Sequence, residues 1–147
     1  MNKEPVFQDD KTKFLYEKLG PYVFNHEEFE DSEAVLLGPQ EFENSSVYIG
    51  QWKNGAPNGR GKKLWKDGGI YEGYFKDNKA HGHGRLFHSD ADVYEGEWLN
   101  DKVHGYGVYI HSDGAKYEGQ WIDDKQEGKG EEKYPDGGVF KGYYVGG

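Results

Sequence analysis

The stretch YEGEW, Tyr94 to Trp98, has no obvious chemistry, yet the chain writes it repeatedly. It returns as YIGQW at Tyr48, YEGYF at Tyr71, YEGQW at Tyr117 and FKGYY at Phe140, each copy starting 23 residues after the one before. Self-similarity at such a period calls for a repeat architecture before any other reading. Stacked on that period, Gly50, Gly73, Gly96, Gly119 and Gly142 form one column, and Trp52, Phe75, Trp98, Trp121 and Tyr144 another. Gly59, Gly82, Gly105 and Gly128 make a third column, Gly61, Gly84, Gly107 and Gly130 a fourth, and Asp67, Asp90, Asp113 and Asp136 a fifth.

Period-2 spacing puts Tyr94, Gly96 and Trp98 on one face of an extended strand and Glu95 and Glu97 on the other. Glycine weakens a strand unless something must approach bare backbone, so each glycine is read as a floor for a ring from the adjacent strand. Asp67-Gly68, Asp113-Gly114 and Asp136-Gly137 are two-residue turn signals, with Asp90-Ala91 the weak copy. The polar connections at 53–59 and 100–105 suit longer loops. Each unit is then one hairpin, and the expected fold is all-β: an elongated, single-layer, twisted antiparallel sheet. Five units at two strands each give a ribbon of about 50 Å. The second face should carry Leu64, Phe87 and Ile110 with Ile70, Val93 and Val139, a partly apolar row in want of cover.

Composition agrees with a thin sheet lined by rings. The chain of 147 residues holds 12 Tyr, 8 Phe and 4 Trp among 23 Gly. It has no cysteine, which excludes disulfides and thiolate chemistry and fits a reducing compartment. No apolar run reaches the roughly 18 residues of a membrane span, and the opening MNKEPVFQDD lacks a signal-peptide core, so a cytosolic or cytoskeletal location is expected. The net charge of −9 sits mainly in residues 1–47, where 4 Lys face 11 acidic residues; residues 48–147 hold 14 basic against 16 acidic. No basic stripe for nucleic acid is visible.

The pattern YxGxW, loop, GxG, then DG, in five in-phase copies over residues 48–147, resembles the MORN (membrane occupation and recognition nexus) repeat. The resemblance implies an elongated single-sheet scaffold for protein or membrane attachment, often in cytoskeletal assemblies such as cilia. Residues 1–18 read as an acidic leader whose segment DDKTKFLYEKLGP forms a short helix, docked on its own sheet or captured by a partner. Residues 19–47 read as a degenerate capping unit, since Gly38, Phe42 and Asn44 stand 23 residues before Gly61, Trp65 and Asp67. The sequence stops at Tyr143-Tyr144-Val145-Gly146-Gly147, inside the fifth copy, so either the parent chain continues or another subunit pairs with the last strand, as a homodimer would.

Catalytic and cofactor chemistry is not expected. His81, His83, His88, His104 and His111 lack a completing carboxylate or thiolate at a metal-site spacing, and in this resemblance histidine is common before the third-column glycine. The pairs GHG, GYG and GKG precede strand-like sequence, whereas a phosphate loop needs a following helix. Asp123-Asp124 and Glu131-Glu132 read as solvated carboxylates. Two functions remain. One is a non-catalytic scaffold whose groove, lined by Tyr48, Trp52, Tyr71, Phe75, Tyr94, Trp98, Tyr117, Trp121, Phe140 and Tyr144, clasps a partner helix or peptide in a ciliary or axonemal assembly. The other is attachment to phosphoinositide membranes through Arg60, Lys62, Lys63 and Lys66, or service as the regulatory segment of a larger enzyme.

Overall fold

A computed structural model of the chain describes residues 20, 22, 35–42 and 44–146. Ten strands follow one another in the chain: β1 (Val35–Glu41), β2 (Val47–Lys53), β3 (Ala56–Leu64), β4 (Ile70–Lys76), β5 (Lys79–Phe87), β6 (Val93–Leu99), β7 (Lys102–Ile110), β8 (Lys116–Ile122), β9 (Lys125–Lys133) and β10 (Val139–Tyr144). They form one open sheet in sequence order, every neighbour antiparallel. The all-β meander expected from the period is thus what forms. The helix expected between Asp9 and Leu19 lies outside the described residues.

The two kinds of connection are exchanged relative to the sequence reading. The tight two-residue turns are Asn54-Gly55, Asp77-Asn78, Asn100-Asp101 and Asp123-Asp124, with φ of 46–77° at all eight positions. Both central residues in the left-handed region is the geometry that matches strand twist in a two-residue hairpin. The Asp-Gly pairs belong instead to five-residue loops, in which Trp65, His88, His111 and Tyr134 donate their N–H to the carbonyl four residues on. There the aspartate carboxylate accepts the N–H two residues later, at Gly69, Asp92, Ala115 and Gly138. Gly68, Gly114 and Gly137 supply the positive φ that follows. Residues 42–46 repeat the loop, with Asn44 accepting from Ser46 and Ser45 at φ 66°.

Asparagine and aspartate tolerate positive φ at a cost, and a non-local bond offsets it here. Asp101 N–H donates to the Ala80 carbonyl, and its carboxylate accepts the Ala80 N–H at 2.7 Å. Asp124 does the same with Val103. The last two tight turns are therefore each clasped to the preceding hairpin, and in the second Asn78 N–H donates to the Pro57 carbonyl. Asp101→Ala should lower stability by about 1 kcal/mol, the usual worth of such a bond, read from the urea midpoint; an unchanged midpoint would mean the clasp is idle.

Each tight hairpin also carries a bulge. Register slips between Gly50 and Trp52, Gly73 and Phe75, Gly96 and Trp98, and Gly119 and Trp121. The third glycine column sits opposite, with φ of 88°, 87°, 88° and 72° at Gly59, Gly82, Gly105 and Gly128. These glycines serve the bulge and not a ring. The first and fourth columns are the ones that pair, as Gly50 with Gly61, Gly61 with Gly73 and onward to Gly130 with Gly142. A continuous row of glycines thus crosses the sheet from β2 to β10.

Candidate functional site

The fourth-column glycines are filled from one face by tyrosine. A Cβ built on Gly107 would lie 2.1 Å from the Tyr94 hydroxyl and 2.4 Å from its ring, and Gly61, Gly84 and Gly130 stand in the same relation to Tyr48, Tyr71 and Tyr117. Each hydroxyl then reaches past the glycine and donates to the carbonyl three residues along its own strand: Gln51, Tyr74, Glu97 and Gln120, at 2.8–2.9 Å. A ring without its partner glycine would clash, and a smaller side chain would leave the carbonyl bare.

The ten residues expected to line a groove are brought together in one ladder of edge-to-face contacts. It runs Trp52, Tyr48, Phe75, Tyr71, Trp98, Tyr94, Trp121, Tyr117, Tyr144, Phe140, with centroids 5.0–6.0 Å apart and planes 80–90° apart. Edge-to-face pairs gain about 0.5–1.5 kcal/mol beyond area burial. Seven of the ten are buried, with Tyr48 and Tyr94 at 0% exposure, so they form the floor of that face. Its accessible part is a rim of partly buried residues packed on the ladder: Trp65, Leu86, Val103 and Tyr109 beside Trp52 and Tyr144. Sequence reasoning missed Tyr109, whose hydroxyl donates to Asp92 at 2.7 Å. Only its column position, 23 residues after Leu86, could have pointed to it.

Trp98 and Trp121 each donate their indole N–H to a fourth-column carbonyl, Gly84 at 3.1 Å and Gly107 at 3.2 Å. The equivalent carbonyl for Trp52 is that of Gly38, fourteen residues earlier in the same relation. A bulge between Leu37 and Gln40, at Pro39, pairs Leu37 with Gly50 where Gly38 would be expected, and Trp52 Nε1 is left buried without a partner. Trp98→Phe should therefore cost about 1 kcal/mol more than Trp52→Phe in urea unfolding. Equal costs would contradict this account of the first repeat.

Burial holds the hydroxyls of Tyr48, Tyr71, Tyr94, Tyr109 and Tyr117 above the usual tyrosine range; a hydrogen bond to Asp92 adds to this at Tyr109. A folded-state pKa above the unfolded one means the unfolded chain loses its protons first as pH rises. The stabilisation is complete below about pH 10 and is lost above it. Lys63, pushed down by burial, works in the opposite sense, one group against five. The urea midpoint should fall from about pH 10 upward, with the phenolate absorbance of these five rings appearing only on unfolding. Phenolate absorbance amounting to all twelve tyrosines in a still-folded protein would contradict the burial.

The second face holds a cluster of Ile70, Phe87 and Val93 with Leu64 and Ile110 against it, as expected; Val139 lies outside it, half exposed. Beside that cluster, buried Glu72 bonds Lys62 Nζ at 3.2 Å and Arg85 Nη2 at 3.3 Å. Arg85 also donates to the Gly20 carbonyl at 2.6 Å, and Tyr22, 7% exposed, bonds His83 Nδ1 through its hydroxyl and stacks on that ring at 5.6 Å. No local signal in the sequence foretells contacts across 61 and 65 residues.

The four basic residues considered for lipid contact are divided by the strand period. Arg60 and Lys62 flank Gly61 on the second face, while Lys63 lies over the Phe42 and Trp65 rings at 4.9 Å and 5.6 Å on the first, and Lys66 is in a loop. The histidines are dispersed: His88 beside Tyr109, His111 3.7 Å from Asp92, His104 3.9 Å from Asp123. Among the described residues no three His, Cys, Asp or Glu side chains gather as a metal site would require, and no helix is long and apolar enough to cross a membrane.

Residues 48–70, 71–92, 94–116 and 117–139 match the model of the MORN repeat, leaving the fifth word, Phe140–Tyr144, outside the matched span. Comparison with curated proteins gives no match. Proteins built on these repeats are generally non-enzymatic and act in scaffolding or in membrane and lipid association. Four matched repeats spanning more than half its length make this chain a member of the MORN repeat family.

Proposed function

We propose that the chain is a non-catalytic scaffold that holds a partner helix or peptide along its ring-bearing face, within a cytoskeletal assembly of the ciliary or axonemal kind. The observation that supports this reading is the ladder itself. Ten rings locked edge to face make a rigid floor, and the half-buried rim of Trp65, Leu86, Val103 and Tyr109 offers the aromatic and aliphatic contacts that dominate protein interfaces. The capping unit proposed for residues 19–47 contributes β1, which pairs with β2 at that end of the sheet. The cellular setting rests on family analogy alone.

Phosphoinositide attachment is less well supported, because basic residues strengthen membrane binding when they share one surface. Arg60 and Lys62 face away from Lys63, and Lys62 is engaged by Glu72. The test places a photo-crosslinking residue at position 109 and, as control, at position 123 in an exposed turn, in extracts of flagellated cells. The scaffold reading expects a discrete protein adduct from position 109 alone. Lipid adducts, or flotation with phosphoinositide vesicles but not neutral ones, would overturn it.

A further inference from the structure

The glycine row that tyrosines fill from the first face is a trough on the second. Where β5 crosses it, Gly84 is flanked by His83 and Arg85, and Tyr22 bridges these two: its ring stacks on His83, and the Arg85 guanidinium carbon is 6.0 Å from its centroid. Arg85 also takes the Gly20 carbonyl. The molecule thereby displays one occupant of its own trough, in which Tyr22 brings a ring and Gly20 a backbone acceptor.

The trough continues past this occupant. From β7 to β10 it opens into a groove of about 550 Å³ whose floor includes Gly119, Gly130 and Gly142. Its walls are the residues that flank those glycines, among them Tyr106, Gln120, Lys129 and Tyr143. Tyr106 stands one repeat after His83, and Lys129 one repeat after Tyr106. The ring that receives Tyr22 is thus succeeded by another ring and then by a cation. Tyr106 is 48% exposed and Tyr143 74% exposed, large side chains with surface still to give. The acidic walls are already balanced, Glu118 by Lys116 at 2.6 Å and Glu131 by Lys133 and Lys141 at 3.8 Å and 3.9 Å. An occupant therefore needs no net charge.

We infer that this open half of the second face docks a peptide of a partner protein that presents an aromatic ring and a nearby backbone carbonyl, as Tyr22 and Gly20 do. The ring stacks on Tyr106, as Tyr22 does on His83. Gln120 and Lys129 are the donors for the carbonyl, in the part that Arg85 plays for Gly20. Tyr143 closes the far wall, three strands away at about 14 Å, room for one peptide with its side chains. This surface is separate from the ring-bearing face, so neither proposal depends on the other.

The probe is the hexapeptide LGPYVF, the sequence of residues 19–24, titrated into the isotope-labelled full chain with amide shifts followed by NMR. Saturable shifts at Gly119, Gly130 and Tyr143 are expected. Binding should weaken about five- to tenfold in Tyr106→Ala, an exposed change that leaves the fold intact, and by a similar factor when the peptide tyrosine becomes alanine. Shifts confined to His83 and Arg85 would overturn the inference, since the probe would only be exchanging with the resident segment. No shift at millimolar peptide would overturn it, and so would sedimentation as a dimer that shields these same amides, which would assign the groove to a second copy.

Discussion

Replacing Tyr94 with alanine is expected to cost about 4 kcal/mol, within the range for deleting a buried aromatic side chain. The residue has no exposed surface and meets Trp98 at 5.2 Å and Trp121 at 5.7 Å, so its loss removes a rung from the ladder and a cavity takes its place. Its hydroxyl also holds the Glu97 carbonyl at 2.9 Å, beside the bulge. Tyr94→Phe isolates that bond and should cost about 1 kcal/mol. Repeat arrays owe their stability to contacts between neighbouring units. Loss of a central rung should therefore split urea unfolding into two transitions, seen by hydrogen exchange as separate protection of β2–β5 and β7–β9. A single cooperative transition displaced by less than about 1 kcal/mol would contradict the ladder's role.

Gly107→Ala is the complementary change and should cost about 3 kcal/mol, the upper end for adding volume to a packed core. The three atoms nearest the new methyl group all belong to Tyr94, at 2.1–2.4 Å, and the ring has no free side to move into, with Trp98 and Trp121 edge-on to it. Gly114→Ala is the control. Nothing lies within 4 Å of its added methyl group, and only the positive φ of 97° opposes it, at about 1 kcal/mol. Ala91 already occupies the equivalent place one repeat earlier at φ 75°. Equal costs at positions 107 and 114 would mean that backbone conformation, and not the seated ring, explains the glycine columns.

Much of the fold was legible because a 23-residue period and a two-residue alternation are both local properties. They placed the tyrosine and tryptophan columns of the repeated word, and the glycines between them, on one face. The turns were misplaced for a physical reason: Asp-Gly is the stronger local turn signal, but here its carboxylate builds a five-residue loop. The tight turns carry Asn-Gly, Asp-Asn, Asn-Asp and Asp-Asp; in the last two the unfavourable φ is offset by the clasp of Asp101 on Ala80 and Asp124 on Val103, a bond between repeats that no local pattern records. The third glycine column was legible as glycine but not as a bulge, since a bulge exists only in the pairing of two strands.

The candidate site was legible in part. Alternation identified which rings share a face, but not that seven of the ten are closed over by their neighbours, leaving Trp65, Leu86 and Tyr109 at the surface above them. The run Arg60 to Lys63 looks like a cluster in one dimension and is divided by the strand period in three. Tyr22 against His83 and Arg85 is a contact across the whole first half of the chain. It could be found only by seeing the second face.

The central claim is that the repeating word persists because each tyrosine needs the glycine it lies on. The direct test is the double-mutant cycle of Tyr94→Ala and Gly107→Ala, each variant measured by urea unfolding. With the ring removed, the added methyl group enters the vacated space, so Gly107→Ala should cost less than about 1 kcal/mol in the Tyr94→Ala background, a coupling of at least about 2 kcal/mol. If Gly107→Ala still costs about 3 kcal/mol without the ring, the two residues act independently and the account of the repeat is wrong.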